Sequence, residues 1–242
     1  MTKQNAIILP AFNKANDIEE VVRRITRLLL DSQIICDLII VDDGSSDDTQ
    51  EKLESIVDEF GVIVITHETN QGKGQAIRTG MQFALEKYKV IGYFDADLDL
   101  SVTSLLDALS YMLKYNTEIL IGSKRHPQSV VQYPISRRFL SFIFQTLSQV
   151  LVGLNISDSQ TGLKLFRHDV LSKILPHTKL VGFAFDLELL AIARIYGFRS
   201  IEFPVEIKFA FSSTVGLHSA WRAVLDLFVI KYSIRNIKKE NN

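Results

Sequence analysis

Cysteine is all but missing: Cys36 is the single one in 242 residues. One thiol in an apolar run builds no internal disulfide and no cysteine metal site, and a reducing, intracellular compartment fits that usage. Neither sign of charge is in excess, with 27 Lys and Arg against 28 Asp and Glu, so no global basic field argues for nucleic acid as a partner. No uncharged apolar stretch approaches the roughly 20 residues that span a bilayer. Polar residues precede the short run Ala6 to Leu9, so no signal segment is expected at the N-terminus. Internal repeats, low-complexity tracts and an obvious linker are also lacking. The length suits one large α/β domain or two small ones, and without a linker a single domain over 1–242 is expected.

What is present is apolar to a degree high for a freely soluble protein, at 47% of residues and a mean hydropathy of +0.14. Short apolar runs alternate with segments of helical periodicity. Ala6 to Leu9 reads as a strand stopped by Pro10, and a helix follows, capped by Asn16 or Asp17, with Ile18, Val21, Val22, Ile25, Leu28 and Leu29 on one face. Leu38 to Val41 is the next strand, and Ser46 or Asp47 caps a helix that Gly61 ends. Val62 to Thr66 is a third strand. A third helix carries Ile77, Met81, Ala84, Leu85 and Tyr88, and Val90 to Phe94 is a fourth strand. Such alternation predicts right-handed crossovers and a mostly parallel sheet covered by helices on both faces. Further on, Glu118 to Gly122 and Phe203 to Phe209 read as strands, the latter an edge or strand start because of Pro204, and Thr161 to Phe166 as a strand or hairpin. Phe185 to Tyr196 reads as a helix.

Two other segments are amphipathic. The stretch 134–153 has a wide apolar stripe behind the pair Arg137-Arg138. The stretch 219–239 carries Trp221, Val224, Leu225, Phe228, Val229 and Tyr232 on one face, with Lys231, Arg235, Lys238 and Lys239 near its end. Each is read either as a packed helix or as one lying at a membrane interface.

Candidate chemistry collects where the strands end. The fourth strand runs into Asp95-Ala96-Asp97-Leu98-Asp99. Carboxylates so close repel unless a positive charge lies between them, and hard oxygen ligands suit Mg²⁺ or Mn²⁺. Alone, Asp-x-Asp is better explained by a solvated acidic turn. Ligands of parallel α/β sheets bind at the carboxyl ends of the strands, however, and that edge is expected to gather Pro10 to Asn13, Asp42-Asp43 and Asp95 to Asp99. Asp99 begins the next loop and reads as a surface residue.

Four segments taken in order, Leu9-Pro10-Ala11-Phe12-Asn13, Val41 to Asp47, Asn70-x-Gly72-Lys73-Gly74 and Asp95-Ala96-Asp97, resemble family 2 glycosyltransferases of the GT-A fold. Gly122 to Arg125, Asp158 to Phe166 and Gly182 to Leu190 are similar to the polyprenyl-phosphate branch, above all to the dolichyl-phosphate β-glucosyltransferases and their bacterial relatives, with mannose synthases a step further away. The resemblance runs from about Ala6 to Lys208. It implies inverting transfer of a hexose, foremost glucose from UDP-glucose, to a polyprenyl phosphate, by a protein peripheral on the cytoplasmic face of a membrane. Pro10, Ala11, Asn13, Asp42, Asp43, Lys73, Asp95 and Ala96 would then bind the nucleotide sugar, with Asp42 and Asp43 towards the nucleoside. Asp95 and Asp97 would hold the metal, and Asp95, Asp97 and Asp186 would make up the catalytic set. Arg125, Arg137 and Lys164 would meet the acceptor phosphate, Arg138 beside them. Gly72 and Gly74 would let the backbone approach the donor closely. The chain departs from the family pattern at Lys14, where an acid usually follows Pro-x-x-Asn, and at Lys124, where relatives carry Arg.

Overall fold

The computed structural model describes residues 5–96, 100–131, 149, 152–154, 156–182, 184–207 and 217–240, without the side chains of 217–224 and 240. Asp97, Asp99, Arg137, Arg138, the segment 134–148, Phe183 and the Trp221 and Val224 side chains lie outside the described residues.

Apolar side chains alternate along the first strands so that both sides are buried. In β1 (Asn5–Ala11) Ile7 and Leu9 join one core while Ala6 and Ile8 join the other. In β2 (Cys36–Asp42) Leu38 and Ile40 are divided from Ile39 and Val41 in the same way. Strands buried on both faces are what a helix-covered parallel sheet requires. With β3 (Ile63–Thr66), β4 (Val90–Phe94), β5 (Ile119–Ser123), β7 (Leu163–Arg167) and β8 (Ser200–Pro204), they form one seven-stranded sheet in the order β3-β2-β1-β4-β7-β5-β8. A short pair, β6 (Val130–Val131) with β9 (Glu206–Ile207), stands apart. Helices α1 (Ile18–Ser32), α2 (Thr49–Phe60) and α4 (Val102–Tyr115) bury their apolar stripes in one core; α3 (Lys73–Leu85), α5 (His168–Ile174), α6 (Phe185–Ile195) and α7 (Leu217–Glu240) do so in the other. The fold is the expected mixed α/β arrangement, a mostly parallel sheet with helices on both faces.

One strand breaks the parallel order. β7 runs antiparallel to both neighbours, with Leu163 opposite Phe94 and Lys164 between Tyr93 and Ile121. The loop that enters β7 therefore arrives at the same edge where β4 and β5 end, and this places residues 157–162 beside the candidate site.

Several local expectations shift. Pro10 lies within β1, opposite Val41, instead of stopping it. β1 has lost its pairing with β4 beyond Ile8, and a strand with one free side tolerates a missing N–H. Helix α2 starts at Thr49, one or two residues later than an Asp47 or Ser46 cap implies, and neither α1 nor α2 has a side-chain cap at the position before its first residue. Asp47 still serves the helix start, accepting the Thr49 amide at 3.1 Å. Gly61 ends α2 at φ +61° as expected. Pro204 closes the edge strand β8.

The apolar face expected on the last helix is its outer one. Leu227, Ile230 and Ile237 are buried in the core beneath α7, whereas Leu225, Phe228, Val229 and Tyr232 are exposed, Tyr232 at 68%. No described helix is long and apolar enough to cross a membrane. Truncating Leu227 to Ala should cost about 2–4 kcal/mol through lost burial and a residual cavity, while Tyr232→Ala should stay within about 0.5 kcal/mol. Urea unfolding of the two variants measures this, and equal effects would mean that α7 does not dock as described.

Candidate active site

The rim of the site is two loops stitched to each other. Asn13, in the left-handed region at φ +51°, accepts the Ser46 amide on its side-chain oxygen at 2.9 Å and donates its own amide to Ser45 Oγ at 2.9 Å. The Lys14 amide donates to Thr49 Oγ1 at 2.8 Å, and that of Ala15 to Asp47 at 3.2 Å. Asp42, at the end of β2 opposite Ala11, accepts from the Ser45 amide with one carboxylate oxygen. Its other oxygen is buried without a hydrogen-bond partner among the described residues.

Asp43 departs from the expectation that it faces a nucleoside. Its carboxylate accepts the amides of Gln71 and Gly72 at 2.9 and 2.8 Å and lies 2.7 Å from His67 Nδ1. The His67 Nε2 is in turn 3.0 Å from Thr79 Oγ1. Both oxygens are thus committed to the loop that leads into α3, and Asp43 sets that loop.

Lys73 is the first residue of α3, and its Nζ lies 2.6 Å from Asp95 Oδ1. That oxygen is buried and receives no aligned hydrogen bond among the described residues, so the contact is one of charge. Asp95 itself is fixed. Its amide donates to Gly162 O at 2.8 Å, and a Cβ added to Gly162 would stand 2.0 Å from the carboxyl group. Ala96 is buried behind it. Asp97 lies outside the described residues, and no cluster of three metal-ligating side chains occurs among those described.

The glycines of the Asn70 to Gly74 segment have a nearer cause than donor approach. A Cβ at Gly72 would meet Val181 O at 2.7 Å, and one at Gly74 would meet Gly182 O at the same distance. A strap, residues 178–182, crosses the start of α3, and Gln75 donates its amide to Val181 O at 3.1 Å. Arg78 grips the strap from α3, reaching Thr178 Oγ1 at 3.2 Å and Leu180 O at 2.8 Å. Glu188 grips it from α6, accepting the Lys179 and Leu180 amides, both at 2.8 Å. Burial raises the Glu188 pKa despite those donors and Arg78.

On the acceptor side the structure corrects the reading of Lys164. Its side chain is fully buried, donating from Nζ to Thr161 O at 2.7 Å and to Asp186 Oδ2 at 3.2 Å. Burial lowers its pKa, with the Asp186 charge opposing. A long side chain projecting from a central strand has no route to the surface, so Lys164 holds Asp186 and meets no lipid phosphate directly. Asp186 is itself buried. Beneath the pair, Tyr93 has its pKa pushed well above the usual value by burial and then by Asp186. Arg125 is exposed just past the end of β5. Lys124 lies 3.9 Å from Asp158, a residue whose role sequence reading missed. Asp158 accepts the Lys124 and Gln160 amides at 2.9 and 3.0 Å and the Thr161 hydroxyl at 2.5 Å. Arg78 and His67 were missed as well. No spacing rule singles out a lone Arg inside a helix or a lone His after a strand.

Residues 6–175 match the family model described as Glycosyl transferase family 2. The chain belongs to that family. It is a glycosyltransferase. Among curated relatives, a dolichyl-phosphate beta-glucosyltransferase of Saccharomyces cerevisiae is 31% identical over 176 residues, which cover 65% of this chain and 52% of the yeast protein. An uncharacterised protein of Methanocaldococcus jannaschii is 28% identical over 202 residues, 83% of this chain and 79% of the relative. The chain thus spans about half of the yeast relative's length. Among solved structures, glucosyl-3-phosphoglycerate synthase of Mycobacterium tuberculosis, crystallised with Mn²⁺, UDP and glucosyl-3-phosphoglycerate, superimposes with a TM-score of 0.69 at 17% identity, covering 95% of this chain and 80% of that one. A likeness at that identity establishes the shared fold.

Asp158 gives a pH test of the loop before β7. Burial would raise its carboxyl, but the Lys124 charge, the Thr161 hydroxyl and two amides outweigh burial and hold it below the ordinary 3.8. A carboxyl depressed in the native state stabilises above the unfolded value and loses that contribution as pH falls through the native one. The stability gap between the wild type and Asp158→Asn should therefore be full above pH 3.8 and shrink below it, measured by urea unfolding between about pH 2.5 and 6. A gap independent of pH would remove the role assigned to Asp158.

Proposed function

We propose that this glycosyltransferase moves a hexose, glucose from UDP-glucose, to the phosphate of a polyprenyl lipid with inversion and with the help of Mg²⁺ or Mn²⁺. The observation that carries the donor half is the Lys73–Asp95 pair at the end of β4, beside the rim built by Asn13 and Asp42. The buried Asp42 oxygen without a partner is an acceptor available to a donor N–H or O–H on the nucleoside. A cation suits the Asp95 carboxylate on the same grounds: its Oδ1 is buried, a hard ligand, and already set against an ammonium group. Asp95 and Asp97 would hold the metal, which when bound stabilises the negative charge on the leaving diphosphate as a Lewis acid.

The acceptor half rests on the dolichyl-phosphate relatives and on chemistry. A phosphomonoester is already anionic at neutral pH, with a second ionisation near pH 6, so no strong base is needed to make it a nucleophile. Asp186, neutralised by Lys164, then orients groups around the acceptor. Arg125 and Arg137 supply the positive charge, for which guanidinium suits phosphate. Purified protein given a divalent cation, undecaprenyl or dolichyl phosphate, and labelled UDP-glucose or GDP-mannose should put label from UDP-glucose into the lipid fraction. Label from GDP-mannose would change the sugar, and label reaching a saccharide only would overturn the acceptor. Asp95→Asn should lower kcat/KM about 10²–10³-fold, as expected for losing one preorganised charge.

The outer face of α7 supports a membrane surface as partner, reached from the cytoplasmic side. Leu225, Phe228, Val229 and Tyr232 are exposed beside exposed Lys231, Arg235, Lys238 and Lys239, the pattern of a helix lying in an anionic interface. Phe228→Ser with Tyr232→Ser should cut co-sedimentation with phosphatidylserine-containing vesicles several-fold, and raised salt should weaken the wild type. Equal binding by the double variant would remove α7 as the anchor.

A further inference from the structure

We infer that Lys73 is a resident counter-cation: it neutralises Asp95 while the donor site is empty and is handed to the donor's phosphates when a divalent cation takes the carboxylate. The inference rests on the metal-dependent reading above and goes beyond a positive charge that merely sits near the donor.

The two partners differ in freedom. Asp95 is pinned by its amide bond to Gly162 O at 2.8 Å and by a wall at Gly162 too close for a single added carbon. The Lys73 backbone is pinned too. Gly72 before it, at φ +99°, gives its amide to Asp43 at 2.8 Å, and the strap closes over Gly74 after it. What can move is the Lys73 side chain, a flexible four-carbon stem bearing a compact charge. The pair is about three-quarters buried, with 26% and 22% of the two side chains exposed.

A divalent cation binds a carboxylate oxygen at about 2.0–2.2 Å. The ammonium group stands 2.6 Å from that same oxygen. Two cations so close repel strongly in a partly desolvated site, so the metal cannot settle while Lys73 stays. Removing the ammonium without replacement would leave a buried carboxylate uncompensated, which is costly; arrival of the metal supplies the replacement. The released ammonium then needs an anion within the reach of its stem, and a nucleoside diphosphate in the donor site would provide one. Charge balance is kept in both states, and Lys73 makes metal and nucleotide binding cooperative.

The exchange predicts effects of opposite sign from one substitution. In nucleotide-free protein, Lys73→Met should bind Mn²⁺ about three- to tenfold more tightly than wild type, because a competing cation is gone. At saturating Mn²⁺, the same variant should bind UDP about tenfold more weakly. Lys73→Arg, which keeps the charge, should resemble wild type in Mn²⁺ affinity. Calorimetric or EPR titration reads both equilibria without turnover. Mn²⁺ binding that is equal or weaker in Lys73→Met would overturn the exchange while leaving the metal reading intact. No Mn²⁺ binding by either protein, with or without UDP, would overturn both.

Discussion

A carboxylate taken out of water must be met by positive charge or by several N–H donors, and at one edge of this sheet that demand recurs six times. Ser45 meets Asp42; two amides and His67 meet Asp43; Lys73 meets Asp95. Further along, Lys124 and two amides meet Asp158, Lys164 meets Asp186, and two amides meet Glu188. The compensation is unequal. Asp43 and Asp158 have both oxygens engaged, by backbone amides together with the His67 ring and the Thr161 hydroxyl. Asp42, Asp95 and Glu188 each retain a buried oxygen that no aligned donor among the described residues satisfies, and of these Asp42 and Asp95 stand where β2 and β4 end.

The antiparallel strand makes this possible. Were β7 parallel to its neighbours, the loop before it would open on the far side of the sheet and Gly162 could not stand against Asp95. Reversal brings the start of β7 to the end of β4 and drops Lys164 into the interior under Asp186. One topological choice thus supplies both a wall for Asp95 and a buried cation for Asp186.

The sequence was legible where a single local rule decides the outcome. Alternating apolar runs and helical periods announced the sheet and its covering helices, and the carboxyl-end rule brought Asn13, Asp42 and Asp95 to one edge. It was less legible where a partner distant in the chain decides. Asp42 and Asp43 are adjacent and chemically identical, yet one faces the rim and the other a loop nearly thirty residues on. Lys164 sits in a motif that suggests phosphate binding, and only its register between Tyr93 and Ile121 reveals that it is buried. On α7 the apolar stripe was found but its direction was not, because the helix is apolar on opposite sides.

The strap over the start of α3 carries a consequence for how such enzymes can be recombined. Its backbone occupies the room that side chains at Gly72 and Gly74 would need, and it is gripped by Arg78 from α3 and Glu188 from α6. The family-wide match ends at residue 175, just before the strap begins. A chimera joined there, with a foreign C-terminal part, would separate the two glycines from the stretch of backbone that fits them. The strap and the start of α3 are interlocking parts cut to one another, so a working exchange must carry both together.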